Sequence, residues 1–548
     1  MSTTPPAATS RPPRWPWAAL AAALAWAALV RVPLVVNAET HIDSDLAVDG
    51  LTLIDLMQGH WRWHFPGTPH MGTGPLLLCV PAAALRGVDA ATLVIGGTLQ
   101  YELVIILTFL LAWRAFGARV AAWSLVPLAF ASTGTIWLSG RLTGGHLLTV
   151  AWHAGAFAIL HASLTRGGPA RAGALGLWCG LGLYLDTMFA FTVAALVPAG
   201  VVAWIVEGAS RRGPACAMAF VAGSALGFLP HVAGTRADPY DAYPAQFEPT
   251  RDREALENHV RLLAFECVPR LLGGHLLPDL RDEPDPRTVG GPRRYREASN
   301  REVVAGTIAG ATLVLFAAAL AALVVGPSPA PSKSIAAVAD FRRDPAGAAV
   351  RWGLLASSAG VVAAFVVNLH IYNSDNYRYL VFLLVPWAVG SGLAMERLAR
   401  KGREAAVLGA VAAAVLAALV TLDTGRWYAR FGWVGPDFRP VRSRVEVPPT
   451  GWLREHPGVR FVVGEYWDVY RLSFLTGGRA RGRPLGGPVR FPEWGDGSDV
   501  RGGGRVVIGR RTPRGWFPTA TLLALRAARR AGGETVFEAR NLVVVAWP

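Results

Sequence analysis

Long apolar runs separated by short polar segments fill the chain up to residue 422. The first run, Trp15 to Val36, is long enough to cross a bilayer as a helix. Ten more runs lie at residues 91–113, 118–138, 147–165, 172–187, 188–206, 214–232, 302–326, 351–370, 378–396 and 404–422. The pattern therefore predicts about 11 transmembrane helices.

One further apolar piece, residues 71–85, is too short for an easy crossing and contains Pro75 and Pro81. If it stays on one side of the membrane, the predicted inside loops hold 13 basic residues and the short outside loops hold three (Arg62, Arg141 and Arg378). If it crosses, this bias inverts. Because basic residues concentrate in cytoplasmic loops, we predict an interfacial helix at 71–85.

The same charge bias orients the rest of the chain. Beyond residue 422, short alternating pieces such as 459–463 and 542–545 replace the spanning runs, which predicts a small extracytoplasmic α/β C-terminal domain. The predicted parts are a cytoplasmic tail (1–14), a transmembrane domain (15–422) with two long outside loops (37–90 and 233–301), and the C-terminal domain (423–548). The predicted fold class is a polytopic α-helical membrane protein.

Composition agrees with this class. The 548 residues are 52% hydrophobic and 17% charged, with a mean hydropathy of +0.34, which excludes an ordinary soluble protein. The net charge of +15 does not indicate nucleic acid in a membrane protein, so we expect membrane lipids and no nucleic acid as partners. The four cysteines are scattered and predict neither a disulfide framework nor a metal site.

Candidate chemistry begins directly after the first span, in the stretch from Glu39 to Pro75. Asp43 and Asp45 lie there, and within this stretch no lysine or arginine precedes Arg62 to neutralise them. Because a carboxylate near hydrocarbon loses hydration, such groups are usually kept for a function. A solvated loop that only separates two helices is the alternative interpretation.

Other polar residues at predicted outside ends are candidates to complete a site with this loop. Arg141 and His146 lie in a glycine-rich loop and have the charge to face the carboxylates, although an ordinary helix-end arginine is an equal alternative. Arg378, at the start of a span, suits a phosphate because a guanidinium binds it through two parallel hydrogen bonds. Pairing with Asp375 is the competing interpretation. Asp186 is interpreted as an isolated turn residue on the outside surface.

These motifs together resemble the GT-C membrane glycosyltransferases, in particular the protein O-mannosyltransferase, aminoarabinose-transferase and RgtA/B/C/D-like branches. The resemblance covers most of the chain and rests on short motifs: DSDxAxxGL at Asp43–Leu51, GxPxMG at Gly67–Gly72, and the segments Asn376–Leu380 and Tyr466–Arg471. Leu46 replaces the glutamate that is usual in the first motif, and His70 replaces a tyrosine in the second.

The resemblance implies an inverting glycosyltransferase that moves a sugar from a polyprenyl-phosphate donor to a glycan, lipid or protein acceptor. In this interpretation Asp43 or Asp45 is the base and Arg378, with Arg141, binds the donor phosphate. The supporting residues expected around them are His41, His70, His146 and Tyr377. No cofactor is certain, the sequence offers no metal-ligand set, and metal use varies in the superfamily, so a divalent metal stays open.

The implied location is the plasma (inner) membrane, with many spans and the site on the outer side. The main alternative is a transporter or flippase of a lipid-linked sugar, for which internal repeats and charges in mid-span are typical. A scaffold without activity is a third interpretation. The sequence shows no repeat, and its acidic cluster lies at the end of a span.

Overall fold

The helices of the membrane region follow the predicted apolar runs. The computed structural model describes residues 14–206, 213–237, 247–273, 300–326, 336–435, 437, 439–442, 449–496, 504–511, 517–539 and 542–547. The predicted tail, apart from Arg14, and much of the loop 233–301 lie outside the described residues.

All eleven predicted runs are helical. In the described part of the chain, eight helical segments are long and apolar enough to cross a membrane. The other three runs form shorter helices or a helix pair: α7 (Ala118–Ala129) with α8 (Thr133–Leu138), α10 (Pro169–Leu185), and α15 (Asn300–Val325). The helices are α1 (Trp15–Leu29), α2 (Val32–Val36), α3 (Ala38–His41), α4 (Ser44–Met57), α5 (Val80–Arg86), α6 (Ala90–Phe116), α7 (Ala118–Ala129), α8 (Thr133–Leu138), α9 (Leu147–Arg166), α10 (Pro169–Leu185), α11 (Ala190–Val206), α12 (Gly213–Ala237), α13 (Arg253–Leu262), α14 (Val268–Leu272), α15 (Asn300–Val325), α16 (Ala336–Arg343), α17 (Pro345–Val367), α18 (Leu384–Lys401) and α19 (Arg403–Arg430).

The piece predicted to lie at the interface is a short helix. A 3-10 turn over Gly74–Leu78 leads into α5, which has 7 residues and ends at Arg86. At 1.5 Å per residue α5 is about 10 Å long, far less than the ~30 Å of a bilayer core. Leu77 and Leu85 are exposed, as expected for apolar side chains that face lipid.

A fully buried arginine fixes the end of the first span. Arg31 lies between α1 and α2, and its Nε donates to Ser139 Oγ at 2.6 Å while its Nη1 donates to the Ala27 carbonyl at 2.7 Å. The guanidinium carbon also lies 4.0 Å from the centroid of the Tyr101 ring. These contacts join the first span to the segment that carries Arg141, so the two outside loops start from a common anchor.

The C-terminal domain is a mixed five-stranded sheet with helices on both faces, as the alternating pieces predict. The strand order is β4-β3-β5-β7-β6, with β3 parallel to β4 and β5, and β7 antiparallel to β5 and β6. Alternate residues face opposite sides: Val506 joins the main core with α21, and Val507 packs beneath α22. The elements are α20 (Thr450–Glu455), α21 (Tyr466–Leu475), α22 (Thr519–Arg530), β3 (Val459–Gly464), β4 (Arg481–Pro484), β5 (Gly504–Arg510), β6 (Glu534–Ala539) and β7 (Leu542–Trp547).

The C-terminal domain docks on the first outside loop. Helix α4 packs on α21, and a Cβ at Gly50 would clash with the ring of Phe474, so glycine permits this close approach. Ser44 Oγ also donates to the Tyr466 carbonyl at 2.6 Å. Beyond α4, a small hairpin of β1 (His64–Phe65) and β2 (Thr68–Gly72) continues the loop. The last helix before the domain, α19, runs to Arg430, past the predicted boundary at 422.

Candidate functional site

Helix α4 begins at the two predicted aspartates and directs them to different neighbours. Asp43 is the N-cap residue, with its Oδ1 accepting from the Leu46 backbone N–H at 2.9 Å. Its Oδ2 forms an ion pair with Nη1 of Arg141. Asp43 is 4% exposed and does not line the cavity described below. This carboxylate therefore caps a helix and neutralises Arg141, which is one of the two alternatives that the sequence left open for Arg141.

Asp45 faces the C-terminal domain instead. Its Oδ1 accepts hydrogen bonds from the Tyr466 hydroxyl at 2.5 Å and from Arg490 Nη2 at 3.3 Å. Its Oδ2 makes no hydrogen bond to a described residue, and 21% of the side chain is exposed. One oxygen is thus held in place, and the other is available to a ligand.

Arg490 is the residue that sequence reasoning missed on this side. Its side chain is 3% exposed, its Nε donates to the Tyr466 hydroxyl at 2.9 Å, and its Nη1 donates to the Pro66 carbonyl at 3.1 Å. The bonds to Pro66 and Asp45 link the predicted first outside loop to the C-terminal domain. Arg490 lies in a glycine- and proline-rich stretch without periodicity, so no sequence pattern relates it to a residue 445 positions earlier.

A cavity of about 310 Å³ lies where the predicted outside segments meet. Five segments supply polar lining residues: the first loop (Asp45, His70), the loop before α9 (Thr143, His146), the turn before α11 (Asp186), the 3-10 helix before α18 (Arg378, Tyr379) and the C-terminal domain (Arg490). Its apolar lining includes Phe191, Val361, Ala364 and Phe365, which belong to membrane helices α11 and α17. The cavity therefore combines a charged end with a wall that is continuous with the membrane region.

Arg378 stands on a capped 3-10 helix over Ser374–Leu383. Its Nη2 donates to the Tyr379 hydroxyl at 3.3 Å, whereas its buried Nε has no hydrogen-bond partner among the described residues. Asp375, the competing partner in the sequence, accepts from Arg270 Nη1 at 3.1 Å. Arg378 thus lines the cavity and keeps one donor that no described residue uses.

His146 and Asp186 form a buried pair in the same cavity. His146 Nδ1 lies 2.6 Å from Asp186 Oδ2, and Asp186 Oδ1 accepts from the Met188 backbone N–H at 2.9 Å. The interpretation of Asp186 as an isolated surface turn residue is wrong, because Asp186 is 2% exposed and hydrogen-bonded. Helices α9 and α10 separate the two residues along the chain, so no local spacing indicates that they meet.

Two predicted supporting residues have structural positions outside the cavity. The His41 ring lies 5.3 Å from that of Trp137, and its Nε2 is 3.0 Å from the Leu34 carbonyl oxygen. Burial lowers the pKa of His41 to about 4, so the ring is neutral near pH 7. Tyr377 is buried and donates to the Gly134 carbonyl at 2.9 Å.

Asp49 lies one turn beyond Asp45 and supports the loop that lines the cavity. Its carboxylate accepts from the Thr143 hydroxyl at 2.5 Å and from the Thr143 backbone N–H at 3.2 Å. Burial raises the pKa of Asp49 to about 7, against the opposing effect of these two bonds. The neutral and charged forms of this carboxyl are therefore both accessible near pH 7.

The described residues contain no group of three or more His, Cys, Asp or Glu side chains arranged to hold a metal ion. Asp45 lines the cavity with one free oxygen, and the nearest carboxylate along the helix, Asp43, is engaged by Arg141.

No protein-family model matches the chain, and no curated protein matches it by sequence. Solved structures do match. ArnT from Cupriavidus metallidurans, bound to undecaprenyl phosphate, aligns over 98% of both chains with a TM-score of 0.55 and 13% identity. The apo state of the same protein aligns over 97% of both chains with a TM-score of 0.56 and 13% identity. An oligosaccharyltransferase from Archaeoglobus fulgidus aligns over 91% of this chain and 69% of its own length, with a TM-score of 0.48 and 12% identity.

The likeness to ArnT extends over nearly the whole chain, including the C-terminal domain. The chain therefore shares the overall fold of ArnT, and the fold class predicted from the sequence, a polytopic α-helical membrane protein with a small C-terminal α/β domain, is confirmed.

Proposed function

We propose that this protein is an inverting glycosyltransferase that moves a sugar from a polyprenyl-phosphate donor to an acceptor at the outer side of the plasma (inner) membrane. The observation that carries the proposal is a single cavity with a free carboxylate oxygen on Asp45, an unused guanidinium donor on Arg378 and an apolar wall from membrane helices. An anionic head group on a long apolar chain suits these surfaces. ArnT, which shares the fold, is known bound to undecaprenyl phosphate.

The reaction uses the two charged residues in different steps of one displacement. Asp45 Oδ2 takes the proton of an acceptor hydroxyl or amine as that group attacks the anomeric carbon from the face opposite the phosphate. The bond between the anomeric carbon and the phosphate oxygen breaks, and its electron pair stays on the phosphate. Arg378 stabilises the charge that develops there, and polyprenyl phosphate leaves. Because a phosphate is already a good leaving group, a strong general acid is not required.

Arg490 and Tyr466 are positioning residues in this mechanism. Both bind Asp45 Oδ1, so they fix the direction of the carboxylate without occupying Oδ2. A reacting group must be held close to its productive geometry, because a displacement of about 1 Å costs on the order of 10²-fold in rate. The C-terminal domain is thus proposed to complete the base.

The test is transfer of label in detergent, where no membrane separates two sides. Membranes that contain the protein are solubilised with their own acceptors and supplied with polyprenyl-phosphate sugars labelled in the sugar. A transferase moves the label from the polyprenyl lipid to another molecule, and Asp45→Asn stops this movement. A transporter or flippase leaves the label on the polyprenyl lipid, and that result would contradict the proposal.

The side of the membrane is tested with single cysteines in a protein whose four native cysteines are replaced. Gln58 and Tyr372 are exposed near the cavity end, and Thr165 and Glu404 are exposed at helix ends predicted to lie inside. An impermeant thiol reagent added to whole cells should label Gln58→Cys and Tyr372→Cys only. Labelling of the other two alone would reverse the orientation.

A further inference from the structure

The cavity contains a histidine–aspartate pair that the mechanism above does not use. His146 and Asp186 are joined by a 2.6 Å contact between Nδ1 and Oδ2, and their side chains are 7% and 3% exposed. Both line the cavity together with Asp45 and Arg378. A titratable pair at this position is available to a ligand and shielded from bulk water.

Asp186 is fixed on its other side as well. Its Oδ1 accepts from the Met188 backbone N–H at 2.9 Å, and its backbone bridges to Met71 in β2. A carboxylate held in this way sets the orientation of the imidazole, in the manner by which aspartates orient histidines in other sites. Asp186 is therefore a positioning residue for His146.

The backbone of His146 indicates that this orientation is maintained against strain. Its φ is 53°, which makes it the one non-glycine residue with positive φ in the part of the chain that the structure describes. A left-handed conformation is sterically unfavourable for a residue with a side chain. Strained residues of this kind concentrate at functional sites, where the surrounding structure holds them.

The second ring nitrogen of His146, Nε2, is the one that a ligand in the cavity could bind. Nε2 makes no hydrogen bond to a described residue, and His146 lines the cavity. The His146 ring lies 5.9 Å from the Tyr379 ring, whose hydroxyl accepts from Arg378 Nη2 at 3.3 Å. His146 and Arg378 thus both contact Tyr379, and each has one ring or guanidinium nitrogen that no described residue binds.

We propose that His146, oriented by Asp186, is a second hydrogen-bond donor to the donor-lipid phosphate, beside Arg378. This inference rests on the proposed function. With Nδ1–H donated to Asp186, the cationic imidazole has its second proton on Nε2. A phosphate at Nε2 and the Asp186 carboxylate at Nδ1 place the imidazole between two anionic groups. The hydrogen bond to the phosphate is charge-assisted, and two donors on one phosphate fix its direction as well as its charge.

The test compares two lipids that differ only in the phosphate. Binding of undecaprenyl phosphate and of undecaprenol is measured on the purified full-length protein in detergent. The variant is His146→Asn, because asparagine tolerates the left-handed conformation and removes the imidazole. We expect the affinity for undecaprenyl phosphate to fall roughly 10-fold or more, as for loss of a hydrogen bond to a charged group, and the affinity for undecaprenol to stay the same.

Two further variants control for folding and for histidine loss in general. Asp186→Asn keeps an acceptor for the Met188 N–H and removes the charge opposite the imidazole, so we expect a smaller loss that is again specific to the phosphate. His153 lies on the same helix α9, contacts Thr192 Oγ1 through Nδ1 at 2.8 Å and does not line the cavity. His153→Asn should leave the preference for the phosphate unchanged. Asp186→Asn decides the question if His146→Asn does not fold.

Several outcomes overturn the inference. Equal losses for both lipids in His146→Asn would mean that the residue only supports the fold. An unchanged preference for the phosphate in His146→Asn would exclude His146 from the phosphate site. This holds even if the variant no longer transfers sugar, because His146 would then act in proton transfer and not in phosphate binding. If the unaltered protein binds undecaprenyl phosphate no better than undecaprenol, the proposed function fails together with this inference. If the unaltered protein prefers the phosphate and His146→Asn keeps the full preference, this inference alone is refuted.

Discussion

The two charged sides of the cavity differ in how the protein satisfies them. On the C-terminal-domain side, Asp45 Oδ1 is bonded to Tyr466 and Arg490, and Arg490 has further bonds. On the membrane side, the buried Nε of Arg378 and Nε2 of His146 have no hydrogen-bond partner among the described residues. A buried donor left unpaired costs about 1–3 kcal/mol. The difference teaches that the first side is preorganised, and that the second side keeps a hydrogen-bond donor for which the proposed donor phosphate is a partner.

The two sides also come from different parts of the chain. The Asp45 side exists only when the C-terminal domain docks on the first outside loop, through the contact of α4 with α21. The Arg378 side is built from the ends of membrane helices. Changes on the first side should therefore affect turnover, and changes on the second should affect affinity for the phosphate.

The largest expected effect follows from Asp45→Asn. Asparagine keeps the size of the side chain and loses the ability to accept a proton, so turnover should fall roughly 10²-fold or more. Binding of undecaprenyl phosphate should persist, because the Arg378 side is unchanged. Transfer rates and lipid binding on the same purified protein measure both quantities.

The neighbouring aspartate is the matched control. In Asp43→Asn the amide still caps α4, but Arg141 loses its carboxylate, so the expected cost is to stability and is roughly 1–3 kcal/mol. The folded fraction of this variant should transfer sugar. If Asp43→Asn abolishes transfer in a well-folded protein and Asp45→Asn does not, the two roles are exchanged.

The next effect is on affinity and concerns Arg378. Arg378→Ala should weaken binding of undecaprenyl phosphate by about 1.5–3 kcal/mol, which is roughly 10- to 150-fold. Arg378→Lys should recover part of this, because it keeps the charge without the planar fork. Asp375→Ala is the control: it removes the partner of Arg270, so it should lower the unfolding temperature and leave phosphate affinity unchanged. Normal binding by folded Arg378→Ala would exclude the residue from the site.

A smaller effect is expected at the residues that hold Asp45. Tyr466→Phe removes one of the two bonds to Oδ1, and Arg490 still holds that oxygen. We expect kcat to fall about 10-fold, as for a base that is less well oriented, with no change in affinity for undecaprenyl phosphate. A loss of affinity with an unchanged kcat would contradict the division of roles between the two sides.

The helical architecture could be predicted from the sequence because it depends on local patterns. Runs of apolar residues determine membrane helices directly, and charge bias distinguished the short helix α5 from a span. The alternation of Val506 and Val507 likewise predicts a strand with two covered faces. The GT-C resemblance rested on short motifs, two in the predicted first outside loop and two at Asn376–Leu380 and Tyr466–Arg471, each continuous in sequence.

The candidate site could be predicted only where its residues lie in such continuous motifs. Asp45 and Arg378 follow directly on recognisable segments. Arg490 and Asp186 do not, because their roles arise from tertiary contacts with Asp45 and His146 that no local spacing encodes. Arg490 is one arginine among many and Asp186 is an aspartate in a turn, so neither residue type nor sequence position marks them as site residues. Only the three-dimensional structure, which brings Arg490 to Asp45 and Asp186 to His146, reveals them.

The smallest effect on turnover is expected at Asp49, beneath the Asp45 side, where the change acts on stability alone. Burial raises the pKa of Asp49 from 3.8 to about 7 in the folded protein. Between these values the unfolded chain releases a proton that the folded protein keeps. The contribution of this group to stability is therefore fully present below pH ~4, falls as the pH rises to about 7, and is constant above.

Asp49→Asn tests this, because the amide resembles the neutral acid and the Thr143 hydroxyl can turn to accept from it. The unfolding temperatures of the variant and the unaltered protein should agree near pH 4. They should separate as the pH rises, with the variant the more stable above pH ~7, since each unit of pKa difference corresponds to about 1.4 kcal/mol. Parallel curves from pH 4 to 8 would mean that Asp49 titrates alike in both states. The turnover of Asp49→Asn should stay near normal. This variant therefore distinguishes a residue that supports the structure of the Asp45 side from Asp45, which is proposed to act in the reaction.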